Sequence, residues 1–374
     1  MKRHLHSFDY DKQDPSLLLT PPMSITLVIH IILMATTFLF IFPLSIIRVL
    51  QKQTNLYLLG TGFALFHIGY FAGHRVYGYK LSSFHVHNQP YVFYLVYVLN
   101  IFGICYKTTK SDFLWRAHRF LLGLFVIVPL LQLGSGMTAS LGICQPSEVN
   151  NCMAHFGMGF AFIAIALLGM FTKYQQDALL GTILFFGLLN TIVTHRWGTK
   201  WSGRDYQHTV SGVFWFFGGV LGLIYRFQKV INPFPYIVLF VEGIQMIFHD
   251  QNSTYAWVVH IMFGSTVLFA SSIRLAGLYA KIDTQLLVDT LWILCGIFFM
   301  GGNSDAIFKL KNSDFDPGSY VMLLASGGFA ILIYIQFMNY LINGRIEYQR
   351  LQSFSSEATL DDLEEGKFEI KNEI

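Results

Sequence analysis

Charge is what this chain of 374 residues has least of. Asp, Glu, Lys and Arg make up 13% of it, where a soluble domain carries roughly 25%. No stretch has the composition of a soluble domain. The net charge of +3 is too small to draw in a nucleic-acid partner. The four cysteines are too few for a disulfide scaffold. There is no internal repeat. The apolar runs also lack in–out alternation, which excludes a membrane β-barrel.

What fills the chain instead is apolar sequence, 53% hydrophobic and 16% aromatic, at a mean hydropathy of +0.49. Runs long enough to enter a bilayer fall near 24–47, 56–77, 91–105, 118–136, 153–171, 178–195, 208–225, 233–249, 255–279, 284–302 and 318–342. A span needs about 17 to 25 such residues. The expected fold is all-α, a polytopic transmembrane bundle of about eleven helices in a lipid bilayer. Residues 1–23 read as a polar arm and 346–374 as an acidic tail, with helical regions over 24–136 and 137–345 between them. The first run is too long for a signal-peptide core and has no small-residue cleavage site behind it. It reads as an uncleaved anchor that routes the chain to the secretory or endosomal membranes.

Lys and Arg are commoner in the loops opposite the N-terminus, which puts the C-terminus in the cytosol. Cys144 and Cys152 then share a loop on the other side, where a disulfide can persist. Cys105 and Cys295 sit inside helices as apolar fillers.

Polar residues concentrate in one place, HRWGTKWSGRDYQHTVSGVFW at 195–215. With alternating helices, His30, His67, His74, His85, His87, His155, His195, Asp205, His208, His249 and His260 all fall in the non-cytosolic half, and only His118 near the other face. His67 and His74 are two turns apart on one helix face. Gly69 and Gly73 form a GxxxG pair that admits a close neighbour helix. Glu242 lies near mid-membrane with Gln245 and His249 on the same stripe, and a carboxyl group there is costly enough to be a functional candidate. His195, Asp205, His208 and His249 are expected to converge on one pocket that binds haem or a metal ion. An imidazole near a helix end can equally bond a backbone carbonyl and do nothing more.

Three chemistries suit this set. Neutral imidazole suits Fe, Cu and Zn, and paired axial imidazoles suit b-type haem in a redox protein. Three His with Asp and an open coordination position suit a metal-dependent hydrolase. Glu242, Gln245 and His249 suit a proton or ion path in a transporter, although an inverted repeat is missing.

The motifs HRWGTKWSGRDYQHT (195–209), GVFWFFGGVLG (212–222), NPFPYIVLFVEGIQMIFHDQ (232–251) and VVHIMFG (258–264) resemble those of the fungal YTP-like membrane proteins. The opening IHIILMATTFLFIFPLSII (29–47) looks like the first helix of that family's cytochrome-b-like domain, itself similar to ascorbate-reducible b-type cytochromes. The resemblance covers about 24–343. Those cytochromes hold two haems by His pairs from alternate helices. Here the cytosolic side offers His118 alone, so the resemblance implies one haem on the non-cytosolic side, for instance between His30 and His87.

Overall fold

The computed structural model describes residues 24–45, 56–74, 83–144, 149–195, 198, 200–249, 251, 253–280 and 282–357. All regular structure among them is helical. Helix α1 runs Ile25–Ser45 and widens into a π turn at Thr37–Ile41. Then come α2 (Leu56–His74), α3 (Ser83–Thr109), α4 (Asp112–Ser140) and α5 (Val149–Phe171). They are followed by α6 (Gln175–Val193), α7 (Gly203–Gln228), α8 (Phe234–Ile247) and α9 (Thr254–Ala280). The last are α10 (Gln285–Gly301), α11 (Ser304–Lys311) and α12 (Pro317–Glu357).

Neighbours pack antiparallel in pairs, α1 on α2, α3 on α4, α6 on α7 and α8 on α9, while α10 packs on α5 and α9. The glycines of the apolar runs mark the crossings. The GxxxG pair of α2 faces α1, since a Cβ at Gly69 would lie 3.1 Å from Leu33 and one at Gly73 would lie 2.6 Å from the His30 ring. Helices α8 and α9 cross where Gly243 and Gly264 each abut the other's backbone carbonyl. The compact unit Met1–Ala325 ends within α12, and Ser326–Ile374 form a second unit.

Six described helices are long and apolar enough to cross a membrane: α1, α5, α6, α7, α9 and α12. A seventh crossing arises if α10 and α11, bent by 68° at their junction, count as one span. The apolar runs predicted about eleven. The difference has a physical cause in α8, which has 14 residues and is therefore about 21 Å long, short of a hydrocarbon core of about 30 Å. In α3 the apolar part is confined to Pro90–Tyr106. Large apolar side chains stand exposed along the long helices, including Ile32 (57%), Phe185 (60%), Phe217 (64%) and Phe269 (62%). An exposed surface this apolar suits lipid and not water. The fold is that of a multi-pass membrane protein.

One end of the first unit is tied by covalent and polar links. Cys144 and Cys152 form the expected disulfide, with Cα atoms 5.3 Å apart. Nearby, Asn151 Oδ1 accepts from both the backbone N–H and the hydroxyl of Ser304, and Lys309 donates to the Leu141 carbonyl. The disulfide closes a loop with a sequence separation of 8, a constraint on the unfolded chain of about 2 kcal/mol. Cys152→Ser should lower the thermal midpoint in detergent by several degrees, as reductant should, and reductant should then have no further effect on the variant.

Candidate functional site

Two clusters of histidines form at this end of the helices, and a lone pair forms beside them. The first cluster lies among α1–α4. His30 is one turn into α1 and His85 is at the start of α3. Their ring centroids are 6.3 Å apart and their planes meet at 77°. His30 Nδ1 donates to the Gly69 carbonyl at 2.7 Å, which leaves the lone pair on Nε2. Around His85, the Ser135 hydroxyl donates to the Gln132 carbonyl (2.9 Å) and can accept from His85 Nδ1 (3.1 Å). The Gln132 amide donates to the His85 carbonyl (3.0 Å). The same Gln132 amide lies 3.1 Å from His85 Nδ1, a contact that needs a lone pair there, so either ring nitrogen of His85 can carry the proton.

Both imidazoles line one apolar cleft with Met34, Phe38, Phe66 and Val92. Its enclosed volume is ≈ 100 Å³, small beside ligand pockets of about 300–1,000 Å³, so a larger ligand would lie partly in its open mouth. Each ring is accommodated by a glycine on a facing helix. A Cβ at Gly73 would approach His30 Nδ1 to 2.6 Å, and one at Gly136 would approach His85 Cε1 to 3.0 Å.

The expected partner of His30 was His87, which lies between the apolar runs 56–77 and 91–105. That segment is helical from Ser83. His85 is the residue the structure brings to His30; the side chains of His74 and His87 lie outside the described ones. His67 is held otherwise, with Nδ1 2.6 Å from the Phe63 carbonyl and Nε2 2.7 Å from the Tyr97 hydroxyl. His118, in the other half, is fully buried against Gly103.

The second cluster lies among α7, α8 and α9. His208, near the start of α7, has its ring centroid 5.8 Å from His249. His249 in turn stacks on His260 at 5.5 Å and 8°. His260 Nδ1 donates to the Ala256 carbonyl. About two turns along α8 from His249, Glu242 is 4% exposed, and its Oε2 accepts from the Ser211 hydroxyl (2.8 Å) and the Trp215 indole (2.9 Å).

His195 and Asp205 do not join this cluster as a ligand set. Asp205 belongs to a capping box with Ser202 at the start of α7, and its Oδ2 takes the Ser202 N–H at 2.8 Å and His195 Nδ1 at 3.3 Å. The His195 ring stacks on Trp201 at 4.0 Å. The carboxylate is thus occupied in starting a helix. Among the described residues, no group of three or more His, Cys, Asp and Glu is placed to hold a metal ion. The structure divides the four expected ligands into a helix-capping pair and an imidazole row.

Two buried carboxylates escaped the sequence reading, Asp305 of α11 (4% exposed) and Asp289 of α10. Asp289, fully buried in α10, accepts from the Gln175 and Gln285 side-chain amides. The signal was an acid inside the apolar run 284–302.

Residues 176–343, which contain the second cluster, Glu242 and Asp289, match the family described as Protein YTP1-like, C-terminal. The similarity is to the YTP1-like family. Protein YTP1 of Saccharomyces cerevisiae is 26% identical over 241 residues, 58% of this chain and 52% of the relative. An uncharacterized membrane protein of Schizosaccharomyces pombe is 21% identical over 272 residues, 54% of this chain and 53% of the relative. Another of S. cerevisiae is 26% identical over 187 residues, 40% of this chain and 29% of the relative. The chain spans about half the length of the first two and less of the third. No solved structure matches. The YTP1-like match begins at the start of α6, so the His30–His85 cleft lies ahead of it.

Proposed function

We propose that the protein is a membrane redox protein that binds one b-type haem through His30 and His85. The observation that carries this is the pairing of two imidazoles, from alternate helices α1 and α3, in one apolar cleft at a centroid separation of 6.3 Å. His30 and His85 would be the two residues that hold the haem iron. Two ligands are too few for a bare tetrahedral ion but enough for haem iron, which draws its other four from the porphyrin. The donor set therefore fits haem better than zinc, and favours the redox reading over a hydrolase built on His195, Asp205, His208 and His249.

Bound haem would supply one-electron exchange. The chain's own part is to fix the ligands. The Gly69 carbonyl orients the His30 ring and presents Nε2, and Ser135 with Gln132 holds the His85 ring at Nδ1. Phe38, Phe66, Met34 and Val92 give the cleft its apolar lining. Gly73 and Gly136 make the room in which each ring turns. The test is haem content. Full-length protein expressed with haem supply should carry about one haem per chain and give a sharp reduced α band; colourless protein refutes the assignment.

In this reading the eleven apolar runs, α1 to α10 and α12, are all embedded in the membrane, the shorter ones within the bundle. The disulfide end faces the lumen or exterior of a secretory or endosomal membrane, and the C-terminus is cytosolic. Thiol labelling of sealed vesicles checks the sidedness. Cys144 and Cys152 should react only after reduction and only from the non-cytosolic side. Labelling from the cytosolic side reverses the assignment.

A further inference from the structure

The YTP1-like region carries a second polar feature, independent of the haem cleft. It follows α8 from end to end. At one end His249 meets His208 of α7 and His260 of α9, with His155 of α5 stacked on Phe299 close by. One turn inward, Gln245 Oε1 is buried without a hydrogen-bond partner. Next comes Glu242, held by Ser211 and Trp215 of α7.

Helix α9 continues the line. Gly264 and Leu268 lie against Gly243, and Arg274 lies against Tyr236, with Nε 3.5 Å from the hydroxyl. This antiparallel register puts Ser271, 0% exposed and with Oγ lacking a hydrogen-bond partner, between the levels of Glu242 and Tyr236. Past Arg274 is Asp289 of α10, with Gln175 and Gln285. Orphaned polar atoms on both sides of a buried carboxyl group call for hydrogen bonds that the protein itself does not supply. Water supplies them where a site is polar.

We propose that this line conducts protons along α8, with the Glu242 carboxyl group as its obligatory carrier. A proton on the imidazole row passes through water at Gln245 to Glu242. From there it passes through water at Ser271 towards Tyr236 and Asp289. Each transfer breaks one N–H or O–H bond and forms another. The only net movement is one positive charge, so no electron donor or further reactant is needed. Ser211 and Trp215 hold Oε2 by donating to it, which orients the carboxyl group along the line.

Reconstitution of the full chain into liposomes containing a pH-sensitive dye tests this. A potassium gradient with valinomycin supplies the driving potential. Wild-type vesicles should take up protons well above the protein-free leak. Glu242→Gln keeps the size and polar contacts but has no ionisable proton, and should fall by more than about tenfold, the scale of a positioned proton-transfer group. Glu242→Asp should retain part of the flux. Wild-type flux at the protein-free rate, or Glu242→Gln at the wild-type rate, would overturn the proposal. If Glu242→Gln does not fold, Gln245→Leu takes its place; slowed flux supports the path, and unchanged flux overturns it.

Discussion

Alanine at His30 or at His85 should remove the Soret band of the purified protein while leaving its helical circular dichroism nearly intact. Each imidazole would supply one of two axial bonds, and one remaining imidazole holds haem far less tightly. The structural loss is smaller. His30 gives up one hydrogen bond to the Gly69 carbonyl, worth about 1 kcal/mol. His85 gives up the contacts of its Nδ1 with the Ser135 hydroxyl and the Gln132 amide. A purely structural role for the two residues would therefore move the thermal midpoint slightly and leave any bound chromophore in place. Gly73→Ala offers a graded version. Its added methyl would lie 2.6 Å from His30 Nδ1, so it should shift or weaken the band without removing either ligand. Spectra of the three variants beside wild type decide the matter. A Soret band unchanged in both alanine variants contradicts the axial assignment.

The largest effect on stability should come from Gly264→Leu. A Cβ at Gly264 would lie 2.7 Å from the Gly243 carbonyl oxygen and 2.9 Å from the Ile247 nitrogen. Those atoms are helix backbone and cannot turn aside. Helices α8 and α9 would have to separate, which breaks the register that brings His249 to His260. The expected cost is about 3 kcal/mol or more, the upper range for overpacking. Gly157 is the matched control, since an added Cβ there meets nothing within 4 Å. Gly157→Ala should be neutral or slightly stabilising, because a helix interior favours Ala over Gly by about 1 kcal/mol. Thermal unfolding in detergent measures both. Equal midpoints for the two variants would show that the crossing is not tightly packed.

Much of this was legible in the chain. The long apolar runs became helices close to their expected bounds, and the cysteine pair in a loop without Lys or Arg became a disulfide. The collection of histidines at one end followed from helix alternation alone. Which histidines meet was not legible, because contact depends on facing direction and on how helices cross. His195 and His208 flank one short loop, yet Asp205 between them is spent on a capping box. The S-x-x-D spacing from Ser202 to Asp205 carried that signal. The segment with His85 and His87 looked like a loop because of Asn88 and Pro90. In fact Pro90 lies inside α3. The bend after α10 has a local signature as well. Asn303 caps α11 by accepting from the Ala306 N–H, which starts a short helix just beyond the apolar run 284–302, in a segment read as a loop.

The most direct test of the haem assignment is the low-temperature electron paramagnetic resonance spectrum of the oxidised, purified protein. Two axial imidazoles on one iron give a low-spin ferric signal, and the account predicts that signal in wild type and its loss in His85→Ala. A high-spin signal in wild type, a low-spin signal that survives in His85→Ala, or no haem iron at all would contradict it.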